Sequence, residues 1–202
     1  MEADEVERFE AAIRARCESG DLGGAATQAL RAYGAEIYGF LRATSRNDDL
    51  ANEAFAQLGE DLWKGLAAFR WDAKLRSWCY TLARNALHRL RRDPRRTPGR
   101  NLGLSAAQAA ELADHLRTAT ELYRRTEVKD ALRALRDELD PDDHELLLLR
   151  LDRQLSWKDI ARIRDGSGDL TARAAALRKQ FERAKTRLRT LAVERGLVPD
   201  AS

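Results

Sequence analysis

Between Leu170 and Leu191 the apolar residues Leu170, Ala174, Leu177, Phe181, Ala184, Leu188 and Leu191 alternate four and three apart. An α-helix with one buried side turns that spacing into a continuous stripe. Similar spacing returns in Leu30, Tyr33, Ile37, Phe40 and Leu41. Proline is scarce, β-branched residues are few, and Ala, Leu, Arg and Glu dominate. The expected fold class is therefore all-α. Apolar residues at 44% can supply a core, and charged residues at 34% call for water-facing helix sides. No apolar run approaches the roughly 20 residues that span a bilayer, which argues against membrane insertion. The opening residues MEADEVERFEAA are too acidic and polar for a signal peptide. Cys17 and Cys79 lie alone in helical patterns, so a reducing, cytoplasmic location is expected rather than a disulfide framework.

The breaks between stripes divide the chain. Residues 4–18 read as a helix closed by SGDLGG, and residues 25–43 as a second. SRNDDL offers capping side chains for a third, over residues 48–66. Its inward positions read as Leu50, Ala54, Leu58, Asp61 or Leu62, and Gly65 or Leu66. After a loop around Trp71–Lys74, a fourth helix spans residues 75–92, with Leu75, Cys79, Leu82, Ala86 and Leu90 on its inward side and Thr81, Asn85, His88 and Arg92 on an outward one. Asp93-Pro94 and Thr97-Pro98-Gly99 break it and open a linker. Residues 105–118 are alanine-rich and helical in pattern. A further helix, over residues 120–139, carries Val128, Leu132, Leu135 and Leu139 on one side. Asp140 suits the N-cap of the next, with Pro141 in the first position. HELLLLRLD is too apolar for an amphipathic helix and belongs in a core. Ser156 and Asp159 make an acidic variant of the capping box, and a turn with Gly166 and Gly168 leads into the long stripe. The expected plan is two small helical domains joined by a linker. It comprises an N-terminal acidic helical extension (1–21), a helical bundle (22–96), the linker (97–120), a helix-turn-helix domain (121–194) and a tail (195–202).

The net charge of +3 hides an uneven distribution: residues 1–21 and 48–61 are acidic, 84–100 and 173–195 basic. Two basic patches separated by acidic surface suit two nucleic-acid contacts, although solvated helix faces would look the same by charge alone. Aromatic clustering adds a second constraint. Trp63, Phe69, Trp71, Trp78 and Tyr80 crowd the stretch just before the first basic segment, which gathers aromatic surfaces beside positive charge. In the last helix, Ala174, Ala175 and Ala176 permit close approach to a groove, and Arg173, Arg178, Lys179, Gln180 and Arg183 suit base edges and phosphates. An ordinary amphipathic helix or short coiled coil is the alternative there. His88, His115 and His144 lack ligand spacing, and no nucleophile–base pair, CxxC or phosphate-cradling glycine motif stands out. No enzymatic activity, metal or cofactor is expected.

In chain order, four segments resemble the bacterial RNA polymerase sigma factors of the σ70 class, in particular the two-domain extracytoplasmic-function (ECF) group. DLANEAF (Asp49–Phe55) is similar to D-L-x-Q-E-x-F, with Asn52 in place of Gln, and LWKGLAAFRWDAKLRSWCYTLARN (Leu62–Asn85) to L-W-x-x-L-x-x-F-R-x-x-x-x-F-R-T-W-L-Y-x-I-A-R-N. ELLLLRLDRQLSWKDIARI is similar to L-L-L-R-x-x-x-G-L-S-Y-x-E-I-A-x-I, and LRKQFERAKTRLR to V-K-S-R-L-x-R-A-R-x-x-L. The resemblance covers residues 20–96 and 122–192. It implies binding to core RNA polymerase and direction of promoter recognition, melting and transcription initiation. The first domain (σ2) would capture the unwound −10 element through Trp71, Lys74, Asn85, His88 and Arg92, with Arg84 and Arg91 on phosphates. Trp78 is open between core and stacking surface, and Phe69 reads as packing. Asp49, Asn52 and Glu53 would meet the β′ clamp helices, unless Asp49 only caps its helix, while Leu50 and Phe55 face the core. The second domain (σ4) would place Arg173, Arg178, Lys179, Gln180 and Arg183 at the −35 element and its apolar side on the β flap. An anti-sigma factor is a further partner the resemblance implies.

Two departures from the pattern stand out. Phe55 and Trp63 are eight residues apart where the family has four, about one added turn, which nearly preserves helical phase. The turn RDGSGDLT is longer than usual and lacks G-x-x-x-G-T-V. A stand-alone helix-turn-helix regulator would explain residues 122–192 but neither DLANEAF nor the aromatic segment, and an adaptor binding only protein would leave the arginines solvated. The acidic N-terminal helix would either cover the DNA-binding face or cap the first domain.

Overall fold

The computed structural model describes residues 3–92, 134–166 and 168–198. The linker, the alanine-rich segment 105–118, His115, Val128 and Leu132 lie outside them. The chain divides into two compact units, residues 1–120 and 121–202, and among the described residues every regular element is helical.

In the first unit, α1 (Ala3–Glu18), α2 (Leu22–Ser45), α3 (Asp48–Gly65) with a 3₁₀ turn (Leu66–Ala68), and α4 (Leu75–Arg92) pack together. Local chemistry sets each boundary. Asp21 caps α2 by accepting from the Gly24 amide at 2.9 Å, and Arg16 of α1 holds the same carboxylate at 2.6 Å. Arg46, with φ of 55°, ends α2 in the left-handed region, and Asn47 accepts from the Leu50 amide at 2.9 Å to start α3. Asn47 therefore supplies the cap, while Asp48 and Asp49 fall in the first turn, where negative charge complements the helix dipole.

The core is aromatic where α2 meets its neighbours. Tyr38 packs edge-on against Phe55 with ring centres 5.5 Å apart, and Phe40 against Tyr80 at 5.3 Å. Each such buried side chain is worth roughly 1.5–3 kcal/mol of transfer free energy. At the margin, Arg76 and Glu36 form a two-pronged pair at 2.7 Å per bond. That bonding, more than burial opposes it, raises the Arg76 pKa and fixes its charge. Helical phasing needs correction at two places. In α3, Ala54, Phe55, Leu58 and Leu62 are buried as expected, but Ala51 and Gly59 are buried with them and Leu50 only partly, because the helix packs on both α2 and α4. In α4, Leu82 is partly exposed, whereas Tyr80, Ala83 and Leu87 are buried with Leu75, Cys79, Ala86 and Leu90. This helix packs on both α2 and α3, so its buried arc is wider than one stripe.

In the second unit, residues 134–137 are helical and carry the buried Leu135. There follow α5 (Pro141–Leu147), a π-helical turn (Leu148–Asp152), α6 (Trp157–Asp165) and α7 (Leu170–Glu194). Asp140 caps α5 through the Asp142 amide at 2.9 Å, with Pro141 beginning the helix. Residues 144 to 149 are all buried, as their apolar sequence requires. The helix widens there, and the Arg153 amide reaches back to the Leu148 carbonyl at 3.0 Å. Ser156 Oγ accepts from the Asp159 amide at 3.1 Å, while its hydroxyl donates to Asp159 Oδ2 at 2.5 Å. In α7, Ala174, Leu177, Phe181 and Ala184 are buried, but Leu170, Leu188 and Leu191 are half-buried. This 25-residue helix is about 37 Å long and is packed most closely in its first half.

Candidate nucleic-acid and polymerase interfaces

The loop between α3 and α4 is built on stacked rings. Phe69 lies nearly parallel to Trp78, with centres 4.5 Å apart and planes at 21°. Trp71 meets Phe69 edge-on at 5.0 Å. A side chain at Gly65 would put its Cβ 2.9 Å from the Trp78 ring. Glycine at that position is what lets the indole lie against the end of α3. Trp78 and Phe69 are thus packing residues that form the floor of the loop. Trp71 is half-buried, with φ of 58°. A bulky side chain seldom takes that left-handed conformation.

On α4, Asn85, His88 and Arg92 share one side by helical spacing. Asn85 and Arg92 are exposed, as is Lys74 just before the helix, whereas His88 and Arg84 are half-buried and engaged. Arg91 is exposed, yet its guanidinium donates to the Thr44 carbonyl at 2.7 Å, satisfying the C-terminal end of α2. Arg89 pairs with Asp61 of α3. The basic run therefore has a structural share, since Arg89 and Arg91 tie α4 to its neighbours. Lys74, Asn85 and Arg92 present polar groups to solvent.

The candidate protein-facing surface lies on α3. Asp49 and Asn52 are exposed and Glu53 is half-buried. Asn52 also accepts from the Tyr38 hydroxyl at 2.6 Å, so its carboxamide is held in one orientation. Trp63 stands eleven residues beyond Asn52 in the sequence, three turns along, and returns to nearly the same side. It is 49% exposed. Sequence spacing gave it no role; its exposed position became visible only once the inward row of α3 was fixed.

In the second unit, α6, the turn and α7 have helix-turn-helix connectivity. Asp169 caps α7 by accepting from the Thr171 and Ala172 amides at 2.9 and 3.1 Å. Ala175 and Ala176 are exposed beside the buried Ala174, and Arg173, Arg178, Lys179 and Arg183 are exposed as well. Gln180 differs. It is half-buried, donates to Asp143 at 2.7 Å and accepts from Arg164 at 3.4 Å. Arg164, with 9% of its side chain exposed, also faces Asp142 at 3.3 Å and the buried Glu145 at 3.7 Å. This polar network under α7 was not read from sequence, because nothing in the local pattern pairs residue 180 with residue 143. Trp157 packs edge-on against Phe181 at 5.2 Å, with Arg150 over its other neighbourhood at 5.0 Å from the ring centre.

No group of His, Cys, Asp and Glu side chains among the described residues is arranged to hold a metal ion, and no described helix is long and apolar enough to cross a membrane. Burial pushes the Cys79 thiol up, so it stays protonated, apolar in character and part of the core.

No protein-family model matches the chain, and no curated protein is similar to it in sequence. Its structure is similar to that of the sigma factor RpoE, solved in complex with the anti-sigma factor NepR from Bartonella quintana. The TM-score is 0.56, sequence identity is 18%, and the match covers 82% of this chain and 94% of that one. This chain has the all-α fold of a sigma factor.

Proposed function

We propose that the chain is a sigma factor of the extracytoplasmic-function group. On this reading it binds core RNA polymerase, recognises and melts promoters, and starts transcription without a catalytic step of its own. The observation that carries the reading is a coincidence of fold and chemistry. On the fold of a sigma factor, the segment resembling the −10-reading motif presents an aromatic-floored loop and the exposed Lys74, Asn85 and Arg92. Melted DNA offers bases that can stack and a backbone that attracts cations. Asn85 would read a base edge, with Trp71, Lys74, His88 and Arg92 also contacting the −10 strand and Arg84 and Arg91 on phosphates.

The exposed Arg173, Arg178, Lys179 and Arg183 of α7 would contact the −35 duplex, with Ala175 and Ala176 allowing close approach. Gln180 would act there from its fixed place in the Arg164 network. Asp49, Asn52 and Glu53 would meet the β′ clamp helices, with Trp63 adding an aromatic anchor further along α3; tryptophan is enriched among residues that dominate binding energy. The β flap is assigned to the apolar side of the second unit, and the place of action to the cytoplasm. RpoE was crystallised with an anti-sigma factor, and we extend that kind of partner to this chain.

Mixing the purified protein with bacterial core polymerase and a pool of promoter fragments tests the reading. A defined subset of fragments should be transcribed, and Asn85→Ala should abolish or broaden that selection. Tight duplex binding without any association with core polymerase would favour a stand-alone helix-turn-helix regulator instead.

A further inference from the structure

The N-terminal helix reaches the loop at two points. Glu10, Ile13 and Arg14 lie on one side of α1 by helical spacing, and Ile13 is fully buried between the other two. Glu10 Oε1 accepts from the backbone amide of Arg76 at 3.2 Å and from the Tyr33 hydroxyl at 3.2 Å. Arg76 is the second residue of α4, where an amide needs an acceptor from outside the helix. The side chain at the N-cap position is Lys74, which carries no acceptor, so Glu10 supplies one from another helix. Burial, with the Glu10 carboxylate adding to it, pushes the Tyr33 hydroxyl up; it therefore remains a donor to Glu10. One turn along α1, the Arg14 guanidinium lies 5.8 Å from the centre of the Trp71 ring. Trp71 is the residue held in the left-handed conformation, an unfavourable state that persists only where its surroundings impose it.

We infer that Glu10 and Arg14 are positioning residues for strand capture: α1 fixes the Trp71–Lys74 loop at its bend and at its exit into α4. This rests on the sigma-factor reading for what the loop captures, but not for how the loop is held. Both anchors come from outside the loop: Glu10 holds a backbone amide, and Arg14 lies over the Trp71 ring. A loop ordered in advance does not have to be ordered when a base arrives, which strengthens binding. Arg14 serves through its charge over the ring more than through burial, since 57% of its side chain is exposed. Losing that charge should loosen the loop without unfolding the unit.

The test uses the full-length protein and four variants: Arg14→Gln, Arg14→Lys, Glu10→Ala and Glu10→Gln. Hydrogen exchange is followed at the amides of residues 71–76, alongside the urea midpoint and the fraction of promoter opened by holoenzyme. Arg14→Gln should speed exchange by about two- to fivefold, the size of one exposed cation–π contact, with an unchanged midpoint. Arg14→Lys should restore most of the protection. Glu10→Ala should release the Arg76 amide, and Glu10→Gln, which keeps an acceptor, should retain part of it. Promoter opening should fall in the same order while binding to core polymerase stays constant. Unaltered exchange in both Arg14→Gln and Glu10→Ala would overturn the inference, as would faster exchange with undiminished opening. If the wild-type protein opens no promoter, the sigma-factor reading fails, and the exchange measurements alone decide whether α1 holds the loop.

Discussion

Gly65 and Gln180 show how one side chain, or its absence, can decide a site. At Gly65 the backbone is right-handed, so alanine would meet no conformational penalty and would gain up to about 1 kcal/mol of helix propensity. The added Cβ would nevertheless sit 2.9 Å from an indole that is pinned from its other neighbour by Phe69. Overpacking of that kind costs about 1–3 kcal/mol, so Gly65→Ala should lower the urea midpoint and alter tryptophan fluorescence. Gln180 separates structural from recognition roles on α7. Gln180→Ala would strip Asp143 and Arg164 of a shared partner, with an expected stability loss of about 1–2 kcal/mol. Arg178→Ala, at an exposed position, should leave stability unchanged and weaken duplex binding. Denaturation and fluorescence-anisotropy titrations on both variants check the pair. Such distinctions explain which residue assignments could be read from sequence. The exposure of Asn85 and Arg92 follows from period alone. The engagement of Gln180 and Arg91 depends on residues 37 and 47 positions away, which no local pattern encodes.

At the scale of the element, boundaries were the legible part. The fourth helix was expected to start at residue 75 and does so at Leu75, because its start follows a loop of distinct composition. The Ser156 and Asp140 caps were equally readable, as a cap needs only a residue type and a neighbouring amide. Faces were harder. A helix packed on one neighbour shows one stripe, but α4 is packed on two, so Leu82 was misplaced and Ala83 and Leu87 were missed. The start of α3 separates two roles that sequence left joined at Asp49. Asn47→Ala should cost about 1 kcal/mol through loss of its bond to the Leu50 amide, with polymerase affinity little changed. Asp49→Ala should do the reverse, apart from a few tenths of a kcal/mol of dipole interaction. Thermal denaturation and a polymerase pull-down on both variants read the two roles separately. Acid should weaken the next boundary upstream. The Asp21 carboxyl is held below its ordinary value by the Gly24 amide first and by Arg16 second. A depressed folded value means its contribution is present above the unfolded pKa, about 3.9, and is lost as pH falls through the folded one. Asp21→Asn should therefore lower stability near neutrality, where the ionised carboxylate contributes, and flatten its further fall below about pH 4, as monitored by circular dichroism.

For the whole molecule, the proposed function assigns its two units to two states of one DNA. The α4 side would hold strands already separated, and the α7 side would hold intact duplex. These tasks respond differently when the DNA is melted in advance. Unpairing and unstacking a base costs a few kcal/mol, and capture by the loop offsets that cost. Loss of capture should therefore shift the balance between closed and open complexes. A promoter with a mismatched bubble over its −10 element removes the cost, so nearly all complexes are open whatever the loop contributes. Duplex contacts act before melting and gain nothing from the bubble. Trp71→Ala and Asn85→Ala should thus show a large opening defect on fully paired promoter and a much smaller one on the bubble template. Arg178→Ala should show the same affinity loss on both, with the steeper salt dependence of wild-type binding reduced by about one unit of slope, as loss of a single phosphate contact requires. Permanganate footprinting measures opening, and titration at several salt concentrations measures affinity. Equal defects of Asn85→Ala on paired and bubble templates would place its contact on the duplex, before strand separation. That result would remove the division of labour while leaving the fold and the polymerase contact as they stand.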